Sequence, residues 1–103
     1  MTLQEMRERF HLEVLSGESK LDREVRHGYA SDLMSDVIAN AGEGDLWITL
    51  QIHVNVVAVA VMKGLSGVIL IGGRHPEEAT LAKAKAENMP LFVSDLPAFE
   101  LAG

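Results

Sequence analysis

Three short and almost wholly apolar segments most constrain the fold, and they are Leu46–Leu50, Val68–Ile71 and Leu91–Val93. Runs of this length without polar alternation are typical of strands that are covered on both faces. Each is preceded by a segment with helical character, and parallel strands require crossovers of about a dozen residues. The sequence therefore predicts an α/β domain with a mainly parallel sheet.

The most clearly predicted helix runs from Ser31 to Ala41. Its apolar residues recur on one helical face, at Leu33, Met34, Val37, Ile38 and Ala41. We expect Ser31 or Asp32 to cap its start and Gly42 to supply a left-handed end.

The segment Val54–Met62 has two interpretations. Its valines favour a strand, whereas its closure by Lys63–Gly64 suits a helix. The preceding residues, Gln51–Asn55, contain neither the Gly nor the Pro that a hairpin would use, and the span from Leu50 to Val68 can hold a helical crossover. We therefore predict a buried helix here.

The remaining elements are predicted from shorter signals. Thr2 and Glu5 have the spacing of a capping box, which predicts an N-terminal helix. Further expectations are short strands at His11–Leu15 and Val25–His27, a helix from Pro76 to just before Asn88, and a last helix begun by Asp95 and Pro97. No linker or repeat divides the chain, so residues 1–103 are expected to form a single domain.

Composition restricts the possible functions. The 103 residues carry a formal net charge of −6, which argues against binding the phosphate backbone of nucleic acids. The absence of Cys excludes disulfides, thiol chemistry and Cys-ligated metals. The first eight residues have neither a basic start nor an apolar block, and polar residues interrupt the longest apolar stretch. We expect a cytoplasmic protein without a membrane span.

The best candidate for a binding site is the loop Gly72-Gly73-Arg74-His75. Ligands of parallel sheets tend to bind beyond the carboxyl ends of the strands, where this loop is expected. Its glycines permit close backbone approach, Arg74 adds a fixed positive charge, and a following helix would offer free N–H groups to an anion. The alternative is a simple tight turn with a solvated Arg74.

Three further residues, His53, Asn55 and Asp32, are expected to line the rest of that site. His53 and Asn55 have an alternative role as caps of the following helix. Asp32 and Asp36 lie one helical turn apart, a spacing that suits a cation but more commonly a solvated face. The four His residues show no metal-binding spacing, and no P-loop or other catalytic motif is present, so no metal, cofactor or catalytic residue is expected.

Several blocks in order resemble the DRTGG domain family, especially its small stand-alone members. The blocks are Gly28–Val37, Gly44–Thr49, Val68–Gly73 and Pro90–Asp95. The segment Leu3–Gly17 also matches, so the resemblance covers nearly the whole chain. The string that names the family is replaced by Tyr29–Leu33, and functions tied to that string are not carried over.

The resemblance implies a fold like the N-terminal domain of HPr kinase/phosphorylase, with helices on both faces of a small, mainly parallel sheet. It also implies a regulatory or assembly role and pairing into a homodimer, and family members usually continue past Phe99 with further helix. Stand-alone members are often labelled HPr kinases, an activity that this chain cannot have without a P-loop.

Three functions follow as hypotheses from these observations. The first is a non-catalytic, self-associating regulatory module that binds a small anionic ligand, such as a nucleotide or phosphorylated metabolite. The second is a pure interaction module that docks on a partner enzyme. The third and least favoured is a small phosphate-handling enzyme, because the sequence offers no evident general base.

Overall fold

A computed structural model describes residues 1–94 of the chain. Its elements, in order, are α1 (Leu3–Phe10), β1 (Glu13–Ser16), a 3-10 turn (Glu18–Lys20), β2 (Gly28–Ala30), α2 (Met34–Asn40), β3 (Leu46–Thr49), α3 (Asn55–Lys63), β4 (Gly67–Leu70), α4 (Glu78–Ala86) and β5 (Leu91–Val93). The sheet order is β1-β5-β4-β3-β2, with β1 antiparallel to β5 and all other pairs parallel. The predicted mainly parallel sheet is confirmed.

The sheet is covered on both of its faces, as predicted. The side chains of Val37, Val57 and Ala84, from α2, α3 and α4, share one core cluster. Leu3 of α1 belongs to a second cluster with Phe92 on the other face. Because β2 to β5 follow one another in both sequence and space, their right-handed crossovers place all three connecting helices on the same face.

The predicted crossover helices are present, and the alternative of a strand at Val54–Met62 is wrong. Gly64 ends α3 in the left-handed conformation, at φ 66°. Pro76 lies two residues before α4 begins and not, as predicted, within the first helical turn. The expected last helix at Asp95 and Pro97 lies outside the described residues.

The predicted ends of α2 are wrong because other hydrogen bonds hold the flanking residues. Neither Ser31 nor Asp32 caps the helix. The helix begins at Met34, and its N-cap residue is Leu33, which has no side-chain group to cap it. The Ser31 hydroxyl instead accepts a hydrogen bond from the Leu33 N–H at 3.2 Å, forming a turn. Gly42 does not adopt a left-handed conformation, and its N–H donates to the Asp45 carboxylate at 2.7 Å.

The two short N-terminal strands are displaced from their predicted positions. The predicted strand at Val25–His27 is absent because the Val25 N–H donates to the Met1 carbonyl and the Arg26 N–H to the Gly44 carbonyl. Pairing with β3 starts instead at Gly28. The first strand starts at Glu13, since His11 forms the left-handed cap of α1. The capping box of Thr2 and Glu5 at the start of that helix is confirmed.

No helix within residues 1–94 has both the length and the apolar character that crossing a membrane would require.

Candidate functional site

A cavity of about 310 Å³ lies at the carboxyl ends of β4 and β5. Its lining comes from the α1–β1 junction, the loop after β4 and the end of β5, with the residues His11, Glu13, Gly73, Arg74, His75, Val93 and Ser94. Three residues of the predicted anion-binding loop therefore lie in one cavity, at the edge of the sheet where the sequence places them.

Two consecutive glycines shape the loop that forms one wall of this cavity. Gly72 and Gly73 both have left-handed backbones, with φ of 73° and 72°, which side chains other than Gly rarely tolerate. The Gly73 N–H donates to the Ser94 carbonyl at 3.1 Å, which ties the loop to the end of β5. A Cβ atom on Gly72 would lie 3.0 Å from Leu50, so this glycine also permits close packing on the neighbouring loop.

The groups of the site that can carry positive charge are exposed side chains of two chain segments. Arg74 and His75 belong to the loop after β4, and His11 belongs to the α1–β1 junction. Within residues 1–94, none of these three side chains forms a hydrogen bond or an ion pair with a protein group. Arg74 carries a permanent positive charge, and the two imidazoles become cationic on protonation, so the three groups together suit an anion.

The N-terminus of α4 does not contribute to this site, contrary to expectation. The helix begins at Glu78, four residues after Arg74, and Glu77 occupies its N-cap. The Glu77 N–H donates instead to the Ile52 carbonyl at 3.3 Å, and the Thr80 hydroxyl donates to the same oxygen at 2.6 Å. An anion in the cavity would therefore depend on side chains and the glycine loop, without a helix dipole.

Asp32 follows β2 in the sequence and lies beside the end of β3. It is not among the residues that line the cavity. One oxygen of its carboxylate accepts hydrogen bonds from the Thr49 hydroxyl at 2.8 Å and from the Leu50 N–H at 2.7 Å. The amide of Gln51 donates to the Asp32 carbonyl at 3.2 Å. These bonds give Asp32 a structural role in joining the segment after β2 to the end of β3.

His53 and Asn55 also lie outside the residues that line the cavity. The Nδ1 atom of His53 accepts a hydrogen bond from the Asn55 N–H at 3.2 Å, at the start of α3. The N-cap of α3 is Val54 and no side chain caps it, so His53 only binds the backbone two residues on, and Asn55 is the first residue of the helix. The predicted seven-residue set thus divides into a loop at the cavity and a second group that supports β3 and α3.

Asp32 and Asp36 are not arranged around a shared cation. Asp36 accepts hydrogen bonds from the Tyr29 hydroxyl at 2.9 Å and from the Asn40 amide at 2.8 Å. The bond from Asn40, with further bonds from Ser31 and Tyr29, lowers the pKa of Asp36, and the bond to Asp36 raises the pKa of Tyr29. Among residues 1–94 no group of three His, Asp or Glu side chains could hold a metal ion.

Of the lining residues outside the predicted seven, His11 and Glu13 are the two with ionisable side chains. His11 lies just before β1, and Glu13 is the first residue of β1. This strand pairs antiparallel with β5, which lies at the opposite end of the described chain. No local pattern in the sequence indicates that pairing. The useful signal is indirect, since a short strand before a parallel βα series has to join one edge of the sheet.

Comparison with known proteins identifies the fold. No protein-family model and no curated protein sequence matches the chain. A crystal structure of the CBS and DRTGG domains from the regulatory region of Clostridium perfringens pyrophosphatase, complexed with the activator diadenosine tetraphosphate, superposes with a TM-score of 0.78 at 16% sequence identity. The fold is CBS/DRTGG-like. The match covers 98% of this chain and 44% of the pyrophosphatase chain. The CBS/DRTGG-like fold agrees with the architecture that the sequence blocks imply.

Proposed function

We propose that this protein is a non-catalytic regulatory module of the DRTGG type, which binds a small anionic ligand in the cavity beside Arg74. The convergence of Arg74, His75 and His11 on one cavity carries this proposal. His11 comes from a distant part of the sequence, and none of the three side chains forms an ion pair within residues 1–94, so the positive charge of Arg74 and both imidazoles are available to a ligand. A regulatory role agrees with the absence of a P-loop from the sequence.

The pyrophosphatase region with the same fold offers a second line of support. That region is the regulatory part of a pyrophosphatase, and its structure contains the activator diadenosine tetraphosphate. Membership of the DRTGG family is part of the proposal and rests on the ordered sequence blocks together with the fold. His53, Asn55 and Asp32 act in it as supports of the neighbouring loops, since hydrogen bonds occupy His53 and Asp32.

Replacing Arg74 by Ala is expected to abolish the rise in melting temperature that an anionic ligand produces. A charge-assisted hydrogen bond contributes about 1.5–3 kcal/mol, so the affinity should fall about 10- to 100-fold. Thermal unfolding with and without inorganic phosphate, sugar phosphates and mononucleotides measures the effect. Lys85→Ala is the matched control, because it removes one exposed positive charge from the last turn of α4, away from the cavity.

The proposal fails if no compound in that panel stabilises the wild-type protein. It fails equally if a stabilising ligand acts on Arg74→Ala as strongly as on the wild type and on Lys85→Ala. Loss of the ligand effect in both variants would point to non-specific attraction by exposed positive side chains instead of a site.

A second candidate function, docking on a second copy or on a partner enzyme, is favoured by exposed apolar side chains on one side of the molecule. Leu33, Ile38 and Met62 are 68%, 43% and 62% exposed. Ile38 and Met62 lie on the packed helices α2 and α3, where the Lys63 ammonium donates to the Ile38 carbonyl at 2.8 Å. Exposed apolar side chains of this kind are common at protein interfaces.

We expect the wild-type protein to be a homodimer and Met62→Glu to be monomeric, because a buried unpaired carboxylate is costly at an apolar interface. Size-exclusion chromatography with light scattering at micromolar concentration measures both. Ala82→Glu, an exposed change on α4, is the control and should remain dimeric. A monomeric wild type contradicts self-association, and a dimeric Met62→Glu excludes this face as the interface.

A further inference from the structure

Glu13 places a carboxylate in the cavity that also holds Arg74 and two imidazoles. It is the first residue of β1 and lies opposite Val93 in the antiparallel pair with β5. Directly opposed residues of such a pair project their side chains to the same face of the sheet. Glu13 and Val93 both line the cavity, and Arg74 lines it from the loop after β4.

This carboxylate is not paired with Arg74 or with either imidazole of its cavity. The ion pairs of residues 1–94 involve other groups, and Glu13 has no side-chain hydrogen bond within that part of the chain. An ionised carboxylate only accepts hydrogen bonds. A ligand that is anionic over its whole surface would be attracted by Arg74 and repelled by Glu13. Arg74 and Glu13 together therefore suit a ligand that has an anionic group beside hydrogen-bond donors.

We propose that Glu13 determines the specificity of the site by selecting a sugar phosphate, which carries hydroxyl groups beside its phosphate. Arg74 binds the phosphate, and Glu13 accepts hydrogen bonds from the sugar hydroxyls. Carboxylates recognise ribose hydroxyls in this way in dinucleotide-binding proteins. This inference rests on the proposed anion site and adds the chemical class of its ligand.

The size and the composition of the cavity agree with such a ligand. Its volume of about 310 Å³ lies at the lower end of the range of about 300–1,000 Å³ that is usual for small-molecule sites. Val93 is the one aliphatic residue that lines the cavity. The other lining residues are polar, charged or glycine. A small polar compound fits this lining better than a ligand with two nucleobases, each of which needs a broad apolar surface.

Calorimetric titration with ribose 5-phosphate and with inorganic phosphate tests the inference. The wild type should bind ribose 5-phosphate at least tenfold more tightly than inorganic phosphate. Glu13→Gln should lower the affinity for ribose 5-phosphate about tenfold while leaving the affinity for inorganic phosphate unchanged or higher, since the repulsion is removed. Glu18→Gln, the same change at an exposed residue of the 3-10 turn, should retain the wild-type preference.

Each outcome separates this inference from the proposed function. If the wild type binds both compounds and Glu13→Gln keeps the same ratio of affinities, the role of Glu13 is overturned and the anion site stands. If inorganic phosphate binds as tightly as ribose 5-phosphate to the wild type, selection of a sugar is overturned. If neither compound binds and the nucleotide panel also gives no stabilisation, both proposals fall.

Discussion

Trp47→Ala should lower the free energy of unfolding by about 4 kcal/mol, which is the usual cost of truncating a fully buried large aromatic residue. Trp47 lies in β3, inside the sheet, and is completely buried against the core shared with α2 and α3. Its indole N–H also donates to the Ser31 carbonyl at 2.7 Å, which holds the segment after β2 in place. Truncation would leave a cavity and remove that donor.

Trp47→Phe separates these two effects. Phenylalanine keeps most of the aromatic volume but cannot donate to Ser31, so about 1–2 kcal/mol should be lost. Urea unfolding followed by far-UV circular dichroism measures both variants, since each lacks the only Trp of the chain. A cost below about 1 kcal/mol for Trp47→Ala would contradict complete burial. Equal costs for both variants would assign the whole effect to the hydrogen bond.

The parts of the fold that the sequence predicts well are those in which local pattern and tertiary environment agree. Leu91–Val93 and the core of Val68–Ile71 are apolar at every position because helices cover one face of the sheet and α1 covers the other. The helix at Val54–Met62 contradicts the strand propensity of its valines. Connectivity predicts it correctly, since neighbouring parallel strands require a crossover.

The errors at β2 and at the start of α2 have a common physical origin in long-range hydrogen bonds. Asp32 has the residue type and position of a helix cap, yet its carboxylate accepts hydrogen bonds from Thr49 and Leu50 of another segment. Val25 and Arg26 have strand character, yet their N–H groups donate to Met1 and Gly44. Such partners are distant in sequence, and no local pattern contains them.

The candidate site shows the same division between local and tertiary information. The loop with Gly73 and Arg74 is predictable because a βα loop always lies at the carboxyl edge of a parallel sheet. His11 and Glu13 reach the cavity only because β1 joins the far edge of that sheet in the antiparallel direction. His53 and Asp32 lie near the correct edge, and there their side chains bind neighbouring backbone groups.

Gly17→Ala should cost about 3 kcal/mol of stability, a large fraction of the 5–15 kcal/mol that is typical of a folded domain. Gly17 follows β1 with a left-handed backbone at φ 76°, a conformation that is unfavourable for Ala. A Cβ atom there would lie 2.5 Å from both the Cα and the N of Pro90, so the backbone itself has to move. Ser16, whose hydroxyl donates to the Met89 carbonyl at 2.7 Å, would be displaced with it.

The displacement should also weaken ligand binding, although Gly17 does not line the cavity. Gly17 and Ser16 hold β1 against the turn that precedes β5. Glu13 is the first residue of β1, and His11 lies just before that strand, so a shift of β1 would move both residues. We therefore expect Gly17→Ala to lose the stabilisation by sugar phosphate under conditions where circular dichroism shows that it is folded. Gly28→Ala is the matched control, because its Cβ would make only an ordinary contact at 3.7 Å with Ile48. Wild-type stability in Gly17→Ala would contradict the close approach to Pro90, and unchanged ligand binding in a destabilised Gly17→Ala would exclude β1 from the site.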